Sequence, residues 1–108
     1  METSKTDEKI RIALDPEDHS CATFIISHET HTLGNVLRNV ISRRPDVDFC
    51  AYSIPHPIEP IMNFRIQTRD SVKPLDVMQS GLSNLKEMSN IVLDKFNAAF
   101  EEEISMEQ

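Results

Sequence analysis

The sequence predicts an α+β fold: a two-layer ββαββα unit, with a four-stranded antiparallel sheet carrying two helices on one face. Three observations predict it. Four short runs alternate in polarity or are rich in β-formers, as strands of a half-buried sheet are. Two other stretches, His31–Ile41 and the region from Lys73 onward, carry apolar residues at helical spacing instead. The chain has 108 residues, enough for one domain with one modest core, so these elements must bury one another.

Residues 1–9 are polar and are expected to form a flexible N-terminus. Ile10, Ile12 and Leu14 then alternate with Arg11 and Ala13, the pattern of a first strand. Asp15-Pro16-Glu17-Asp18 is a turn, because proline cannot continue a central strand. Cys21–Ser27, with Thr23, Phe24, Ile25 and Ile26, is a second strand expected to form a hairpin with the first.

The stretch from His31 to Ile41 organises the rest. Thr32 is the expected N-cap, and Leu33, Val36, Leu37, Val40 and Ile41 follow at i, i+3, i+4, i+7 and i+8 to make one apolar face. Gly34 is out of place in such a helix, where glycine costs about 1 kcal/mol relative to alanine. The expected compensation is close approach of another backbone. Arg43-Arg44 would complement the negative end of the helix dipole, and Pro45 ends the helical region.

Val47, Phe49 and Ala51 alternate with Asp48, Cys50 and Tyr52, predicting a third strand with the first three on one face. Pro55-His56-Pro57 stops it. Met62, Phe64, Ile66 and Thr68 then alternate with Asn63, Arg65, Gln67 and Arg69, the clearest strand pattern of the chain. One face of the sheet is therefore buried and the other polar. Beyond Pro74, Leu75, Met78, Leu82, Leu85, Val92, Phe96 and Ala99 form a near-heptad stripe, and Met88, Ile91 and Phe100 widen it. One helix face suffices to cover four strands, so the surplus predicts a second surface to bury. Domain boundaries follow at residues 10–100, with 101–108 an acidic tail whose charge suits a helix C-terminus badly and predicts fraying.

Composition narrows the function. With 18 Asp and Glu against 11 Lys and Arg, the net charge is -7, which argues against a protein that grips nucleic acid through phosphate contacts. The start has no apolar region that could serve as a signal peptide, and no run is long enough to span a membrane. Cys21 and Cys50 are too few for a disulfide framework and are expected to be reduced core thiols in an intracellular protein. His19, His28, His31 and His56 show no metal-ligand spacing. There is no glycine-rich phosphate loop and no nucleophile elbow, and the carboxylates fall in termini and turns. No catalytic residue, metal or cofactor is expected.

These residues also carry a resemblance. His31-Thr32-Leu33-Gly34-Asn35 with Leu37-Arg38, then Pro45, Val47, Phe49, Ala51-Tyr52, Pro55-His56-Pro57 and Arg65-Ile66-Gln67-Thr68, resemble the smaller α-like subunit of archaeal and eukaryotic RNA polymerases. The Thr-Leu-Gly-Asn-x-Leu-Arg core also resembles the dimerisation region of the bacterial α subunit. Cys21-Ala22-Thr23-Phe24, Phe49-Cys50, Arg65-Ile66-Gln67-Thr68-Arg69 and Gly81-Leu82 with Val92-Leu93-Asp94-Lys95-Phe96 are most similar to the form shared by polymerases I and III; the polymerase II form is the nearest competitor. Thr30 stands where the family usually has an acidic residue, and Ala51 where it has glycine.

The resemblance implies a non-catalytic subunit that pairs with a larger α-like subunit. The pair nucleates assembly by holding the second-largest and then the largest subunit. It also implies a location in the nucleus, including the nucleolus, with no direct contact to nucleic acid or membrane. The subunit interface it implies comprises Thr32, Leu33, Gly34, Asn35, Leu37, Arg38 and Ile41 on the first helix and Leu82, Leu85, Val92 and Phe96 on the second. Two other classes compete: a small enzyme on the same two-layer fold, of the pterin dehydratase type, which would need its histidines gathered in a pocket, and a homodimeric adaptor unrelated to transcription.

Overall fold

A computed structural model describes residues 8–107. The elements follow the expected order: β1 (Ile10–Leu14), β2 (Cys21–Ser27), α1 (His31–Ser42), β3 (Val47–Ser53), β4 (Ile61–Thr68) and α2 (Pro74–Glu107). The sheet is antiparallel throughout, with strand order β1-β2-β4-β3. β4 therefore inserts between the two strands that α1 connects. Most of the expected flexible N-terminus lies outside the described residues, but Lys9 is tied in. Its carbonyl accepts from the Ser27 N–H at 2.8 Å and its ammonium meets Glu29 Oε2 at 2.9 Å.

The core lies between sheet and helices. Ala22, Phe24 and Ile26 on β2 and Met62, Phe64 and Ile66 on β4 line the sheet side; Leu37 and Ile41 on α1 and Val77 and Met78 on α2 close it. Thr68, at the end of the β4 row, is buried as a polar group and donates its hydroxyl proton to the Val72 carbonyl at 2.6 Å. The strict alternation of β4 is thus realised in full.

Three local expectations are corrected. Thr32 is not the cap: the helix starts at His31 with Thr30 as N-cap, extended and making no side-chain cap bond, while Thr32 sits in the first turn. The helix thus begins two residues earlier than expected, just after a turn in which His28 adopts a left-handed backbone (φ 61°) and donates its N–H to the Pro60 carbonyl at 2.6 Å. Histidine is among the residues that tolerate this conformation.

The second correction is in β3. Val47 pairs with Thr68 and Phe49 with Gln67, so Asp48 is an extra residue in a β-bulge. A bulge reverses the facing of everything beyond it. Cys50 and Tyr52, opposite Ile66 and Phe64, pack on the core, whereas Phe49 and Ala51, opposite Gln67 and Arg65, face the open side. The third correction is at the C-terminus. α2 continues as helix through Glu101–Glu103 to Glu107, where fraying was expected.

Candidate subunit interface

α2 has 34 residues, roughly 51 Å of helix, and only its beginning has anything to pack on. Pro74, Val77, Met78 and Gly81 are buried. Val77 and Gly81 stand where the heptad reading had favoured Leu75 and Leu82, both of which are exposed. Gly81 is the crossing point of the two helices: a Cβ there would stand 2.7 Å from Ile41 Cγ1. Past Leu85, which is half-buried, every described α2 residue is exposed.

That free length is not polar. Leu82, Leu85, Met88, Val92, Phe96, Phe100 and Ile104 recur at spacings of three and four, the stripe of a helix with a packing partner. Val92 is 68% exposed and Phe96 60%. The Phe96 and Phe100 rings stack on each other at 5.8 Å, the only aromatic partner either has among the described residues. An exposed apolar surface of this extent marks an interaction site.

Two further apolar patches lie on the same side of the sheet. Val36 and Val40 of α1 and Met88 of α2 floor an open groove of about 480 Å³, rimmed by Asn39, Arg43, Asn84 and Glu87. Ile10, Ile12 and Leu14 stand opposite Ile26, Phe24 and Ala22, hence on the helix face, yet Ile12 is 47% exposed because neither helix reaches β1.

The residues singled out in sequence divide into two sets. Gly34, Leu37 and Ile41 are inside the protomer: Leu37 and Ile41 have no exposed surface, and Leu33 packs half-buried against the same core. Gly34 does answer a close approach, but of side chains from this chain's own sheet and not of another backbone. Its Cβ would meet the Tyr52 ring at 2.7 Å and Met62 Sδ at 2.9 Å. Tyr52 is held there by its hydroxyl, 2.8 Å from His31 Nδ1, and by stacking on Phe64. Thr32, Asn35 and Arg38 point outward from α1, and Leu82, Val92 and Phe96 belong to the uncovered helix. The sequence reading missed Val36 and the β1 row as exposed apolar positions, and Val40 as a half-buried one beside them. The available signal was the width of the α1 stripe, too broad for one packing face.

The histidines do not converge. His19 precedes β2 and His28 follows it, so the strand, roughly 20–25 Å long, separates them; His31 bonds Tyr52, and His56 lies 4.0 Å from Glu59 in the β3–β4 loop. Among the described residues no cluster of His, Cys, Asp and Glu could hold a metal ion, and no helix is long and apolar enough to cross a membrane. The ionisable groups that are perturbed have structural causes. Arg44 grips Asp46 through two hydrogen bonds and holds its carboxyl below the usual range. Burial, reinforced by Asp18, pushes the Cys21 thiol up.

Comparison with known proteins agrees with this geometry. Residues 21–95 match the family described as the RNA polymerase Rpb3/Rpb11 dimerisation domain. The chain is 46% identical over 91 residues to DNA-directed RNA polymerases I and III subunit RPAC2 of Danio rerio, covering 84% of this chain and 81% of that one. It is 47% identical over 93 residues to the RPAC2 subunit of Schizosaccharomyces pombe, covering 86% and 74%. The crystal structure of RNA polymerase subunit L from Thermoplasma acidophilum shares the fold, with a TM-score of 0.70 at 18% identity over 87% of this chain and 92% of that one. This chain belongs to the RNA polymerase Rpb3/Rpb11 dimerisation-domain family.

Proposed function

We propose that this chain is the smaller α-like subunit of RNA polymerases I and III, a non-catalytic component that heterodimerises with a larger α-like subunit. One observation carries the reading: from Leu82 to Ile104 an apolar helical stripe extends away from the chain's own core. Obligate interfaces resemble a domain core cut in half, and this surface is such a half.

In this reading Leu82, Leu85, Val92 and Phe96, together with Val36, Val40 and Met88, pack against the partner's helices, and the β1 row receives a partner helix. Gly34, Leu37 and Ile41 act from within, setting the positions of α1 and α2. Thr32, Asn35 and Arg38, on the outer side of α1, belong to a surface for the second-largest and largest polymerase subunits. The subunit contributes structure and no catalytic group, and it works in the nucleus, including the nucleolus.

Affinity purification of the tagged chain from cells tests this. The larger α-like subunit should be recovered at 1:1, with polymerase I and III subunits and without those unique to polymerase II. Recovery of the chain as a homodimer or with unrelated proteins would refute it.

A further inference from the structure

The face of the sheet away from the helices carries no element of this chain, and its side chains are not those of a neutral solvated surface. By register it presents Arg11 and Ala13 on β1, Thr23 and Ile25 on β2, Asn63, Arg65 and Gln67 on β4, and Phe49 and Ala51 on β3. The paired strand positions place three ionisable side chains here: Cys21, opposite Gln67 and buried against the Asp18 carboxylate, and two exposed arginines, Arg11 and Arg65, on a chain of net charge -7. Among the described residues neither Arg11 nor Arg65 takes part in an ion pair; the Asp18 carboxylate feels Arg65 from a distance, but its hydrogen bonds are taken up by Ser20 and Cys21.

The bulge adds an aromatic. In regular alternation Phe49 would share the helix-facing side of Val47; because Asp48 is bulged out of the pairing, the ring is on the open side and 51% exposed. Bulges commonly re-aim a side chain in this way. Asp48 is itself engaged, 3.5 Å from both Arg69 Nε and Gln67 Nε2, so its carboxylate does not cancel the arginines. Arg65 stands between Thr23 and Ala51 across the strands, small neighbours that leave its guanidinium reachable. From strand spacing and rise, Arg65 and Phe49 are roughly 8 Å apart and Arg65 and Arg11 roughly 12 Å.

We propose that this open sheet face docks an extended acidic–apolar segment of a protein other than the larger α-like subunit, with Arg65 and Arg11 taking carboxylates and Phe49 covering an apolar side chain. Guanidinium matches carboxylate bidentately, and carboxylates four residues apart on an extended strand share one face and are roughly 13 Å apart, close to the separation of the two arginines. Two cations on an acidic protein are too few for a polyphosphate backbone. The face opposes the one assigned to heterodimer formation, so both can be occupied together.

The test uses the assembled complex. The tagged chain carrying Ala51→p-benzoylphenylalanine is expressed in cells, irradiated and purified, with and without Arg65→Glu, and adducts are mapped by mass spectrometry. The expected result is an adduct on an acidic segment of a third protein, reduced at least fivefold by Arg65→Glu while recovery of the larger α-like subunit is unchanged. An adduct on nucleic acid, on the larger α-like subunit or on a second copy of this chain would overturn the proposal. So would the absence of any adduct, or one that Arg65→Glu leaves intact. Failure to recover the larger α-like subunit with the unsubstituted chain is a separate result, and refutes the heterodimer reading instead.

Discussion

Ile41 Cγ1 occupies the space a side chain at Gly81 would need, 2.7 Å from the position of its Cβ. α1 and α2 therefore cross with glycine against isoleucine, and Ile41 has no exposed surface through which to retreat. Gly81→Ala should destabilise the protein by about 1–3 kcal/mol, the usual effect of overpacking, although alanine is the better helix former by about 1 kcal/mol. Thermal melts of the purified heterodimer check this; a raised midpoint would show that the crossing is loose.

Gly34 tests a different contact. Its α carbon faces Tyr52 and Met62 of its own sheet, so Gly34→Ala should lower the stability of the protomer itself, again by about 1–3 kcal/mol. Tyr52→Ala in the same chain should relieve part of that loss, because the obstructing ring is gone. A double-mutant cycle on heterodimer melting reads the coupling, and strict additivity would contradict the contact.

How much of this was legible in the sequence depends on the range of the interaction. β4 and the core half of α1 were readable because period-2 and period-3.6 patterns are set by local geometry. The facing of β3 was not: Val47-Asp48-Phe49 reads as plain alternation, and nothing local says that Asp48 is an added residue until β4 is laid beside it. Gly81 was passed over for Leu75 and Leu82 because a sequence periodicity weighs side-chain size, whereas a helix crossing rewards its absence. Gly34 was recognised as a close-approach glycine, but a single chain cannot tell its own sheet from a neighbour. The surplus apolar stripe of α2 was read correctly as unpartnered, since the chain has too little sheet to cover it.

The two sets of interface candidates should separate experimentally. Leu37→Ala empties a fully buried site and should cost about 2–5 kcal/mol of folding stability. Phe96→Glu, on the free part of α2, should leave the helical content of the chain intact and abolish pairing. Circular dichroism and coexpression yield distinguish them; equal loss of fold in both variants would contradict the division.

Asp46 gives a pH dependence with a defined sign. Its hydrogen bonds from Arg44 hold its folded-state pKa below the ordinary value of 3.8. The unfolded chain therefore binds the proton more readily. The stabilisation is present above pH 3.8 and is lost as pH falls through the lower folded-state value. Asp46→Asn should be destabilising at neutral pH, with the difference from the parent vanishing in strong acid. A difference that persists or grows on acidification would contradict the assignment.

Hydrogen exchange along α2 tests the central claim most directly. A helix whose last turns touch nothing opens readily in water. In the separate chain at low concentration, amides from Leu85 to Glu107 should exchange rapidly while those near Val77 and Met78 stay protected. In the 1:1 complex with the larger α-like subunit, protection should spread along the stripe through Val92 and Phe96. Protection confined in the complex to the first turns of α2, with the remainder exchanging as in the free chain, would contradict the account.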